Sequence, residues 1–116
     1  MINREFYNGY EGEGQVIFRD ESKNELVIWE GYIYILMERM FDQEFKVLSE
    51  FFSRDDDINA WLISDLPNAL AQFRAFDFQK MQQDNFAKRL PQLVAEITRF
   101  LLNALNSDQR VYIEKD

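Results

Sequence analysis

Apolar side chains recur along this chain at helical spacing far more than at strand spacing. From Trp29 to Phe41 they fall at 29, 32, 33, 36, 37, 40 and 41, the i, i+3, i+4, i+7 series of one helix face. Just before this run Ser22 stands three residues ahead of Glu25, the pattern of a capping box, so a helix is predicted from near Lys23. A competing reading takes LVIWEGYIYILM as two strands turned at Glu30-Gly31, because its residues favour sheets and Gly31 costs a helix roughly 1 kcal/mol relative to Ala. Strand alternation does not persist past Leu36, and the helix is preferred.

A second helix is predicted from Gln43 to Ser53, capped by Asp42, with Phe45, Leu48 and Phe52 facing inward. A third starts at Ser64 or Asp65. Pro67 is tolerated in its first turn, and Leu66, Leu70, Phe73 and Phe76 form its buried stripe. The fourth carries Leu90, Leu93, Val94, Ile97, Leu101, Ala104 and Leu105 on one face, with Pro91 near its start. Ile58 to Ile63 is a short buried piece anchored by Trp61. Strand patterns are confined to Gln15 to Arg19 and Val111 to Ile113, natural partners for one another. The expected architecture is α+β and helix-dominated: about four helices packed in one core, with a small β-ribbon pairing an N-terminal strand with the C-terminal strand. No repeat, linker or low-complexity segment divides residues 1–116, so one globular domain is expected.

Composition narrows the chemistry. Apolar residues make up 47% of the chain and eleven are Phe, enough for a core that needs neither disulfides nor a structural metal. Cys and His are both absent. That excludes thiolate and imidazole metal sites, Ser-His-Asp and Cys-His nucleophiles, and the commonest general base near neutral pH. Asp55, Asp57 and Asn59 match the first, third and fifth positions of a calcium-binding loop. Ala60 then stands where the turn needs Gly, and Leu66 where a bidentate Glu should close the site. Gly12 and Gly14 share the spacing of a phosphate cradle, but Glu11 and Glu13 would repel a phosphate. Phe73, Phe76 and Phe78 read as core rather than as a nucleic-acid platform, having only Arg74 and Lys80 as basic company. No catalytic residue, metal or cofactor is expected. A carboxylate-based enzyme stays open as an alternative, since it needs only two acids roughly 5–9.5 Å apart in different environments.

The charge is distributed unevenly. Net charge is −8; residues 1–57 hold 14 acids against 6 bases, and residues 58–116 hold 7 of each. A one-sided negative field repels nucleic acid and anionic membranes and draws in basic partners at rates that fall with salt. The candidate partner-binding residues are therefore Glu11, Glu13, Asp20, Glu21, Asp55, Asp56 and Asp57, with Tyr7 and Tyr10 as aromatic anchors. The start of the chain lacks a secretory signal, and no window reaches 18 consecutive apolar residues, so a soluble cytoplasmic protein is expected.

In size, acidity and the texture of its WEGYIYILMERM segment, the chain resembles the small acidic immunity proteins of bacterial toxin systems, including those of contact-dependent growth inhibition. The resemblance implies a cytoplasmic antitoxin that neutralises a cognate toxin, often a nuclease with a basic substrate groove, and that has no catalytic residue of its own. Other classes consistent with the composition are an adaptor or subunit that binds through an apolar patch, and a DNA mimic. The uneven spacing of the acids lacks the double row that a DNA mimic requires.

Overall fold

The computed structural model describes residues 1–39, Phe51, 60–75 and 86–116. Five strands form one mixed sheet: β1 (Ile2–Phe6), β2 (Gln15–Asp20), β3 (Glu25–Trp29), β4 (Trp61–Leu62) and β5 (Val111–Lys115), in the order β1-β3-β2-β5-β4. Among the described residues three α-helices accompany them: α1 (Glu30–Arg39), α2 (Leu66–Arg74) and α3 (Leu90–Asn106), the last preceded by a 3₁₀ turn at Phe86–Arg89. This corrects the expected four-helix core with a two-stranded ribbon. Strands β2 and β5 do pair, from Val16 opposite Lys115 to Asp20 opposite Val111, but as the middle of a five-stranded sheet. The second predicted helix, Gln43 to Ser53, lies outside the described residues except for Phe51, which is buried.

The segment predicted as the first turns of a helix is instead β3. Asp20 decides this locally. Its Oδ1 accepts from the N–H groups of Ser22 (2.9 Å) and Asn24 (3.0 Å), and its Oδ2 accepts from Asn24 Nδ2 (2.9 Å). These bonds close a tight turn, with Lys23 at a φ of 67°, before any helix can start. Strands β2 and β3 leave that turn as an antiparallel hairpin, from Arg19 opposite Glu25 to Gln15 opposite Trp29. The helix begins only at Glu30, and the Glu30-Gly31 hairpin is likewise absent. From there the helical spacing holds: Tyr32, Ile33 and Leu36 are buried, while Tyr34 points out.

Along β2 and its neighbours, alternate residues face the helices. Val16 and Phe18, Leu26 and Ile28, and Val111 and Ile113 share one core with Phe6 and the helix stripes. Helix α3 contributes Leu90, Leu93, Val94, Ile97, Leu101 and Ala104, all at most 4% exposed; Leu105, assigned to the same stripe from sequence, is 38% exposed. Helix α2 is capped as its sequence predicts, with Asp65 Oδ1 accepting from Asn68 N–H at 3.0 Å. On the sheet's other face Arg19 reaches Glu25 on β3 at 2.8 Å and Glu114 on β5 at 2.9 Å, an ionic rung across three strands. Among the described residues, no helix is long and apolar enough to cross a membrane.

Candidate functional site

The topology forces a particular loop. Strand β1 runs parallel to β3, with Phe6 opposite Ile28, while β2 lies on β3's other side. The chain from 7 to 14 must therefore cross the end of β3, where Trp29 stands, to travel from one neighbour to the other. It spans two strand spacings, roughly 10 Å. Glycine makes the crossing possible: Gly9 and Gly12 have φ values of 94° and 93°.

The loop's side chains fasten it to what it crosses. Tyr10 stacks on Trp29 with ring centroids 3.9 Å apart and planes within 4°, and both rings meet Tyr32 edge-on. Tyr7 donates its hydroxyl to the Glu13 carbonyl at 2.7 Å, and Trp29 Nε1 donates to Glu13 Oε1 at 3.3 Å. Both oxygens of Glu11 accept from the Gly9 N–H, at 3.1 and 3.3 Å. The Glu30 N–H donates to the Gly14 carbonyl at 3.0 Å, so the loop also ties down the first residue of α1. A Cβ at Gly31 would overlap the Trp29 ring, which accounts for a glycine near the start of a helix.

The assembled face is acidic with fixed rings. Glu11 and Glu13 are exposed and Glu30 is half-buried. Two cations border it and both are engaged. Arg89 lies over the Phe6 ring at 5.0 Å and 3.6 Å from Glu5, and Lys115 donates to the Tyr34 hydroxyl at 3.2 Å and stands 3.8 Å from Glu30. A hydrogen bond of 3.4 Å between the Tyr10 and Tyr32 hydroxyls, with burial, pushes the Tyr10 phenol from its usual 10 up to about 12. Because folding raises this value, the stability it confers is complete below pH 10 and is lost as pH rises towards 12. The urea midpoint is therefore expected to fall over that interval more steeply for the wild type than for Tyr10→Phe. Parallel slopes would show that the phenol does not titrate with folding.

Of the residues selected from sequence, Tyr7, Tyr10, Glu11 and Glu13 come together here. Asp20 and Glu21 do not: they lie at the opposite end of β2, roughly 17 Å away by strand rise. There they hold the fold, Asp20 in its turn and Glu21 by accepting the Arg110 N–H on the neighbouring α3–β5 connection. Asp55, Asp56 and Asp57 lie outside the described residues. The contributions of Trp29, Glu30 and Arg89 were not foreseen. A glycine inside a helical pattern directly after Trp29 was the available signal for a ring folded back at that point.

Chemically this face presents carboxylates arranged around a ring platform. Among the described residues, no three acids are placed to hold a metal ion. The fold and face together define an α+β protein whose mixed sheet presents an acidic, aromatic loop at one end. The chain matches no family model, no curated protein and no solved structure.

Proposed function

We propose that this protein is a cytoplasmic antitoxin of the immunity type, which binds and neutralises a basic, nuclease-type toxin through the acidic face of the 7–14 loop. The observation that carries this reading is the fixing of Glu11 and Glu13. Both are exposed, yet each is held by hydrogen bonds within the loop or to Trp29. Carboxylates ordered before binding lose little entropy on docking and attract a basic groove from a distance. Stacked Tyr10 and Trp29 supply rigid area of the kind that anchors interfaces.

Co-purification from the native host with mass spectrometry identifies the partner, and its binding is then followed by stopped-flow. Affinity is expected to drop by about tenfold or more as salt rises from low to several hundred millimolar. Glu11→Lys with Glu13→Lys should slow association by a similar factor, as should reversal at Asp55 to Asp57, while Asp108→Lys changes it little. A flat salt response, or equal effects at all of these sites, would remove the acidic face from consideration and favour an adaptor that binds through apolar surface.

A further inference from the structure

Helix α3 carries a second stripe beside its core face. Glu96, Arg99, Phe100 and Asn103 follow the i, i+3, i+4, i+7 series and form one wall of a cleft of about 280 Å³. The opposite wall is the beginning of β1 and β3, and the Asp20–Asn24 turn closes one end. This is the end of the sheet remote from the 7–14 loop, so the cleft is independent of the proposed acidic face.

Its floor is apolar, and its walls offer hydrogen-bonding edges beside ion-paired side chains and the Met1 ammonium, which donates to Asn24 Oδ1 at 2.9 Å. Leu26 is 2% exposed, and Phe100 is half-buried against the core. The carboxylates around them are engaged: Asp20 in its turn, Glu25 with Arg19, and Glu96 with Arg99 at 3.0 Å. Two amides are not. Asn3 Oδ1 accepts the Glu5 N–H at 3.0 Å, which leaves its Nδ2 to donate, and the Asn103 side chain, with a donor and an acceptor, has no protein partner among the described residues.

We propose that this cleft binds a neutral planar heterocycle of the nucleobase type. Its ring lies on Phe100 and Leu26, and its donor–acceptor edge meets the amides of Asn3 and Asn103. Amide side chains read such edges because each presents a donor and an acceptor side by side, as in contacts to adenine. A phosphorylated ligand is disfavoured, because the three carboxylates of the lining, Asp20, Glu25 and Glu96, outnumber its two cations, the Met1 ammonium and Arg99.

The test is an NMR titration of the ¹⁵N-labelled full chain with adenosine, guanosine, cytidine and uridine, each paired with its 5′-monophosphate, and with benzyl alcohol as a ring lacking the edge. At least one nucleoside is expected to shift the Asn3 and Asn103 side-chain amides saturably and to bind several-fold tighter than its monophosphate. Asn103→Ala, at an exposed position, should weaken that nucleoside about fivefold or more while leaving the urea midpoint unchanged. The proposal is overturned if no nucleoside shifts these amides, if benzyl alcohol binds as well as the nucleosides, if the monophosphates bind equally or more tightly, or if Asn103→Ala binds like the wild type.

Discussion

Phe18→Ala is expected to lower the unfolding free energy by about 3–5 kcal/mol, the largest single effect in the described part of the molecule. Phe18 is 0% exposed on β2, with β3 on one side and β5 on the other. Leu26 and Ile113 are its cross-strand neighbours, and the Phe73 ring of α2 meets it edge-on at 6.5 Å. Truncation leaves a void bounded by two strands and a helix, and a sheet paired on both sides cannot collapse to fill it. A domain of this size has about 5–15 kcal/mol in total, so the variant should sit near the edge of folding. Urea unfolding checks this, with the slope unchanged and the midpoint far lower than in the wild type. Leu105→Ala, on a side chain 38% exposed, should stay within about 0.5 kcal/mol. Comparable losses for the two would place the core somewhere other than on β2.

That core was legible in part, and where it was misread the cause is physical. In α3 the apolar residues recur every turn over a long run, so helical spacing alone identifies the stripe from Leu90 to Ala104. β3 is harder. Leu26, Val27 and Ile28 are all buried, because Val27 alternates onto the face opposite the core and is covered there too. A strand buried on both faces shows no alternation, and three apolar residues in a row suit a helix equally well. The Ser22–Glu25 spacing adds a false start signal, since a capping box can be read from spacing, while the engagement of the Ser22 N–H by Asp20 and of the Glu25 N–H by the Met1 carbonyl cannot. β1 escaped notice for a different reason. It is an edge strand in which only Phe6 is buried, and its parallel partner lies beyond the intervening β2 in sequence.

The candidate face shows the same division. The strand at Gln15 to Arg19 is legible in the sequence, and a strand of that length already sets Glu13 and Asp20 at opposite ends, roughly 17 Å apart. Sequence does not reveal which end carries exposed, prearranged acids. That depends on β1 pairing beyond β3, which sends the 7–14 loop over Trp29. The composition of the acidic half is thus a poor guide to its surface. Some of its carboxylates hold turns together, and others stand free of the core on a loop whose path the sheet order dictates.

Arg19→Met is expected to cost about 1.5–3 kcal/mol. Methionine keeps much of the aliphatic stem, so the loss reports the guanidinium rather than packing. That group lies between Glu114 and Glu25, whose hydrogen bonds, Glu114's the larger, raise its pKa above the ordinary range. The side chains of Arg19, Glu25 and Glu114 are 32%, 18% and 24% exposed, too enclosed for water to replace what is removed. Without Arg19 two carboxylates, Glu25 and Glu114, flank β2 with no cation between them, and each destabilises the other. Urea denaturation of both proteins measures the difference. Adding Glu25→Gln to the Arg19→Met variant should recover part of the loss at neutral pH. No recovery in the double variant would mean that Arg19 acts through packing, and the ionic rung would then contribute nothing to holding β3, β2 and β5 in register.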